Sequence, residues 1–152
     1  MVMNIFKFKA KTMVLQHIMR VLLGLALAYA GVSHLTFNRE EFLAQVPRWV
    51  PLDPDLVVIL SGIVEIILGL GLIFFISQKV FFGLVTGIFF ILIFPGNLAQ
   101  YHNEVDAFGL DSDRARLIRL FFQPLLVLWA IWSTGAWQYL KSLKKKQSNG
   151  TT

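Results

Sequence analysis

The chain contains no cysteine, which excludes disulfides and any thiol exchange of its own. Charge is scarce as well: 15% of its 152 residues are Asp, Glu, Lys or Arg, where a soluble domain carries about a quarter. With 56% hydrophobic residues, the polar groups are too few to cover a water-facing surface, so the chain is expected to dissolve in lipid as one small domain. No internal repeat or low-complexity segment divides it.

What is there instead is a series of long apolar runs: Val21 to Leu35, Leu56 to Ser77, Val80 to Pro95 and Leu120 to Leu140. Each predicts a membrane-spanning helix, since about 20 residues cross the hydrocarbon layer and the two shorter runs can recruit their flanks. The expected fold is an all-α membrane protein, a four-transmembrane-helix up-down bundle with a short interfacial helix in the first outer loop. Its parts are a basic cytoplasmic segment, 1–20, the membrane domain, 21–140, and a polybasic cytoplasmic tail, 141–152.

Acidic residues are missing from one whole side of that arrangement. Lys7, Lys9, Lys11, Arg20, Lys79, Lys141 and Lys144 to Lys146 fall together, while the opposite side, loops 36–55 and 98–119, receives every acid except Glu65. Cytoplasmic loops retain Lys and Arg, so both termini are expected in the cytoplasm. The net charge of +5 is therefore read as contact with an anionic lipid surface, and no nucleic-acid partner is expected. The basic start and Ala28-Tyr29-Ala30 imitate a cleaved signal peptide. The small-residue pattern that continues through Gly31 favours a retained span. Asn149-Gly150-Thr151 matches a glycosylation sequon but falls on the side expected to be cytoplasmic.

The loops carry legible turn chemistry. Asn38 and Glu41 can form a capping box for a short helix whose Phe42, Leu43 and Val46 would lie on the bilayer, with Trp49 at headgroup level. Asp53-Pro54 marks the start of the second span. Pro95 should kink or end the third, and Asp111 or Ser112 should cap the fourth, which carries Pro124 inside it. Gly24, Ala28 and Gly31, then Gly62 and Gly69, then Gly83 and Gly87 supply the small-residue faces through which membrane helices approach.

Each span also contributes a polar group. Glu65 lies about 13 Å, and Arg119 about 10 Å, inside the expected outer surface at 1.5 Å per residue. An ionisable group at that depth costs about 2.5–3.5 kcal/mol on insertion scales, so it should face the interior and find a partner. Arg119 is the expected partner of Glu65, with Gln123 one turn deeper, His34 at the end of the first span and Asn97 at the end of the third. Each residue singly has a structural reading: an interfacial histidine, a helix cap, an ion pair fixing register. Together they point to a shared pocket. A bis-histidine haem using His17 or His102 opposite His34, or a metal held by His34, Glu65 and His102, lacks any ligand spacing, and no metal site is expected.

Gly31-Val32-Ser33-His34, Phe42, Val46-Pro47-Arg48-Trp49-Val50-Pro51 and Ser61-Gly62-Ile63-Val64-Glu65 with Gly69 closely resemble the first half of DoxX-like membrane proteins. Phe94-Pro95-Gly96-Asn97 resembles the Pro-x-Asn end of that family's third helix, and Arg119 with Gln123 and Trp129 its fourth. The similarity covers roughly Gly24 to Trp132. It implies a four-helix bundle in a bacterial cytoplasmic (inner) membrane. Relatives include a subunit of a thiosulfate:quinone oxidoreductase, proteins of membrane redox or periplasmic maturation, and animal members that assist receptor assembly. The missing cysteine separates this chain from dithiol-based relatives.

Two functions are compatible with these features. In the first, the chain is an accessory subunit of a quinone-linked oxidoreductase. His34 and Glu65 would act on a bound quinone or small organic ligand by hydrogen bonding and proton transfer, and Arg119, Gln123 and Asn97 would hold it. Electrons would come from another membrane or periplasmic redox protein, because no flavin, haem or iron–sulfur motif is present in the sequence. In the second, the chain is a non-enzymatic assembly or scaffold factor whose polar groups lock the bundle.

Overall fold

The computed structural model describes residues 4–103 and 112–149. Among them every regular element is helical: α1 (Val14–Leu35), α2 (Arg39–Leu43), α3 (Pro54–Phe74), α4 (Lys79–His102), α5 (Asp113–Ser133) and α6 (Ala136–Asn149). Four are long and apolar enough to cross a membrane: α1, α3, α5 and α4 with the 3-10 turn leading into it. The chain is thus a multi-pass membrane protein built as a four-helix bundle. Its two ends are called here the acidic end, where α3 and α5 begin, and the basic end, where α1 and α4 begin. Residues 104–111, with the alternative cap Asp111, and Gly150 and Thr151 of the sequon lie outside the described residues.

The tightest seam joins α1 to α3. A Cβ built on Gly31 would stand 2.5 Å from the Gly62 carbonyl oxygen, and one on Gly24 2.7 Å from that of Gly69, so backbone meets backbone without room for a side chain. The stripes anticipated on these spans are therefore the contact itself. They also fix an antiparallel register, Gly24 against Gly69 and Gly31 against Gly62. Continued to Leu35, that register ends α1 level with Val58, roughly four residues, or about 6 Å, short of the start of α3. The first loop, with α2, occupies the space left above the end of α1. Beneath it Leu23, Leu27, Leu68, Leu72, Phe90 and Ala130 form the apolar core.

Helix limits follow local chemistry, with several departures from expectation. The Asp53 side chain accepts from the Asp55 and Leu56 amides and Pro54 opens α3, while Ser112 accepts from the Ala115 amide at the start of α5. Asn38 sits at the N-cap of α2, but its side chain makes no cap bond. Pro95 does not end the third span: α4 runs through Pro95, Gly96 and Asn97 to His102. A proline in a membrane helix forfeits one backbone bond, here to the Ile91 carbonyl, and neighbouring helices can compensate locally. The fourth span begins earlier than the apolar run, at Asp113, and ends at Ser133. There Gly135, at φ +73°, turns the chain into α6. A left-handed residue after a helix is a glycine preference, and a Cβ at this position would also meet Ala10 at 2.7 Å.

The basic end is closed by polar bonds rather than by apolar packing alone. Arg20, expected in a cytoplasmic segment, is instead inside α1 and buried, its guanidinium donating to the carbonyls of Leu72 and Ile73. These belong to the last turn of α3, where orphan carbonyls and the helix dipole favour a cation. Lys79 Nζ donates to Thr12 Oγ1 at 2.6 Å, Gln16 Nε2 to the Trp132 carbonyl at 2.6 Å and Trp129 Nε1 to the Met19 carbonyl at 3.0 Å. Gln138 of α6 exchanges two hydrogen bonds with the Lys11 backbone, docking the N-terminal segment on the C-terminal helix.

Candidate functional site

The end of α1, the first loop and the middle of α3, α4 and α5 enclose a cavity of about 520 Å³. This is within the range of small-molecule sites, about 300–1,000 Å³. His34, Glu65, Asn97, Arg119 and Gln123 all line it. The rest of the wall is predominantly apolar, including Leu27, Val58, Phe90, Leu126 and Trp129. The bundle therefore brings the five polar residues singled out in the sequence to one place.

Their pairing differs from expectation. Glu65 does not meet Arg119. Its Oε2 lies 3.3 Å from His34 Nδ1, with both residues buried. The α1–α3 contact explains this, because the His34 Cβ lies against Gly62, 2.9 Å from where a Cβ there would stand, and Glu65 follows Gly62 by three residues on the same helix face. The approach is close but poorly directed: neither atom has a well-aligned hydrogen-bond partner among the described residues. Two polar atoms that face a cavity and only partly satisfy each other retain bonding capacity for a third group.

Asn97 and Gln123 form the opposite wall. Asn97 is not a helix cap; inside α4 it is buried and its Nδ2 donates to Gln123 Oε1 at 3.0 Å. Gln123 Nε2 donates in turn to the Phe90 carbonyl at 2.7 Å. That carbonyl adjoins the Ile91 carbonyl deprived by Pro95, so a bond from α5 reaches α4 one residue from the gap in its ladder.

Arg119 closes the acidic end. It donates to Gln100 Oε1 at 2.9 Å and to Gln45 Oε1 at 3.0 Å, linking α5 to α4 and to the first loop. Arg39 fastens the same loop to α3 by a bidentate pair with Asp55. The hydrogen bond to Asp55 raises the Arg39 pKa. Phe42 does not lie outward on the bilayer; its ring packs edge-on against the His34 ring, and Val46 also lines the cavity. Trp49 lines it too, though 68% exposed.

Sequence reasoning missed Gln45, Gln100 and the inward turn of Phe42. An isolated glutamine in a loop and one beyond an apparent helix stop carry no spacing signal. Of the histidines weighed for haem or metal, His17 lies at the basic end bonded to Thr12, and His102 is exposed at the end of α4. Among the described residues no group of three or more His, Cys, Asp or Glu side chains is placed to hold a metal ion.

No curated protein and no solved structure matches the chain. One family model does, over residues 23–134, which takes in α3, α4 and α5, α1 from Leu23 onwards, and every residue of the polar wall. The chain therefore belongs to the family described as a domain of unknown function, DUF8561.

Proposed function

We propose that the cavity binds the headgroup of a membrane quinone and that the chain serves a redox-associated membrane complex as its quinone-binding, accessory subunit. The observation that carries this reading is the His34–Glu65 pair, buried, 3.3 Å apart and incompletely bonded at the wall of an otherwise apolar cavity. A quinone ring fits that chemistry: flat and apolar in its body, with carbonyl oxygens at its edge that accept hydrogen bonds. Bound there, a quinone would supply two-electron, two-proton redox chemistry. The chain's residues would hold its carbonyl and deliver protons from His34 and Glu65. Electrons would arrive from a partner redox protein. The resemblance to DoxX-like proteins supports the same reading. We place the basic end on the cytoplasmic side of a bacterial inner membrane, on the positive-inside rule.

The second reading is a non-enzymatic assembly or scaffold factor. The Asn97–Gln123–Phe90 chain favours it, because those groups satisfy one another and fix helix register without a ligand. Titration of the purified protein in lipid nanodiscs with decylubiquinone, followed by quenching of Trp129 in a single-tryptophan form, separates the two. Saturable quenching that is lost in Glu65→Gln and in His34→Ala is expected. Absence of saturable quenching in the parent protein rejects the quinone site and leaves the scaffold.

A further inference from the structure

The cavity extends well beyond its polar wall. From His34 the α1 side descends a turn at a time through Ala30 and Ala26, and opposite it α5 descends from Arg119 to Trp129, about 15 Å of helix. Two of these wall residues also belong to the outside of the bundle. Phe122 is 54% exposed and Ala26 is exposed as well, on the face that apolar spans turn to lipid. Leu92 of α4 and Trp49 of the first loop also line the cavity and reach the outer surface, but Ala26 and Phe122 stand level on two facing helices, in the register set by the Gln16–Trp132 and Met19–Trp129 bonds, so a gap between them opens to lipid.

The rest of the fold accounts for an opening at this place. α1 and α5 are fastened at the basic end by the Gln16 and Trp129 hydrogen bonds. Beyond those bonds Leu23 and Leu27 of α1 pack into the core with Ala130, while Ala26 and Ala30, the cavity-wall residues of α1 on the outer side, are small and leave a slot. The route from water is obstructed, since Phe42 covers His34 and Gln45 is bonded to Arg119.

We propose that the slot between α1 and α5 is a lateral portal, and that the ligand is a membrane-dissolved amphiphile whose head meets His34 and Glu65 while its hydrocarbon tail leaves between Ala26 and Phe122. The head class rests on the quinone reading above; the portal itself rests on the wall geometry. A tail in the slot passes from one apolar surroundings to another, so no polar group is desolvated along it.

Ala26→Trp blocks the slot from the lipid side without touching the polar wall, and the position is exposed, so folding should be retained. In nanodiscs it is expected to weaken decylubiquinone about tenfold or more, by crowding the tail, while the tailless dimethoxy-methyl-benzoquinone keeps its parent affinity. Unchanged affinity for the tailed probe overturns the portal and leaves the pocket. If neither quinone binds the parent protein, the quinone reading falls, and the portal is decided by a phosphatidylcholine carrying a diazirine on its acyl chain. Labelling of Leu126 or Trp129 that disappears in Ala26→Trp upholds the portal. No labelling of either residue in the parent protein overturns it.

Discussion

Arg119 and Gln45, 74 residues apart in the chain, are joined by a 3.0 Å hydrogen bond that ties the last span to the first loop. The bond lies above the cavity and has one charged partner, so it is among the stronger kind, worth about 1.5–3 kcal/mol. Gln45→Ala should therefore loosen the loop while leaving the spans intact. The expected result is amide exchange in residues 42–50 faster by about tenfold or more, with protection of α3 and α4 unchanged. Equal protection of the loop in the two proteins would show that the bond does not hold it down.

The α1–α3 seam makes a contrast between two glycines. At Gly31 a Cβ would meet the Gly62 carbonyl at 2.5 Å, whereas at Gly87 the nearest atom would be Ile131 Cγ1 at 3.6 Å, an ordinary contact. Gly31→Ala is expected to destabilise the bundle by about 1–3 kcal/mol through overpacking against backbone. Gly87→Ala should be neutral or stabilise by up to about 1 kcal/mol, because alanine is the better helix former. Thermal unfolding in one detergent compares them directly. A Gly31→Ala protein as stable as its parent would contradict the close approach.

The absence of native cysteine makes orientation directly measurable. Arg48 is exposed in the first loop at the acidic end and Ser148 is exposed near the end of α6. In intact cells an impermeant maleimide is expected to label Arg48→Cys at once, and Ser148→Cys only after lysis. The opposite pattern would invert the proposed topology.

How much of this was legible in the sequence varied with the kind of signal. The four spans and the glycine faces follow from hydropathy and spacing, and the caps at Asp53 and Ser112 from local chemistry, because each depends on neighbours in the chain. Pro95-Gly96-Asn97 was misleading: in water the tripeptide stops a helix, but within a bundle the cost of stopping exceeds that of one missing backbone bond, and α4 continues. The last apolar run gave no sign of its break at Gly135, since Trp137 and Leu140 prolong it on the far side. For the site, membership of the cavity was readable because five intramembrane polar groups must avoid lipid. The partners were not. Pairing depends on where α1 stops against α3, a register set by Gly31 and Gly62, and no spacing in the chain reports it.

That register bears on the Glu65 partnership, which a double-mutant cycle can measure. Glu65 stands 3.3 Å from His34 Nδ1, and the described partners of Arg119 are Gln100 and Gln45. Residues in contact show interaction energies of about 0.5–3 kcal/mol, while separate sites add within about 0.5 kcal/mol. Glu65→Gln and His34→Ala should therefore be non-additive in thermal or denaturant stability, each single change leaving the other polar group buried with less compensation. Glu65→Gln combined with Arg119→Gln should be close to additive. Stability alone does not reveal purpose, so the same proteins must also be assayed for quinone binding. A pair that merely fixes the fold predicts that any variant recovering stability recovers binding. A ligand site predicts that the Glu65→Gln, His34→Ala double variant folds about as well as the better single variant and still fails to bind. We expect the second outcome; strong coupling of Glu65 to Arg119 instead of His34, or restored binding in the double variant, would overturn the site as drawn.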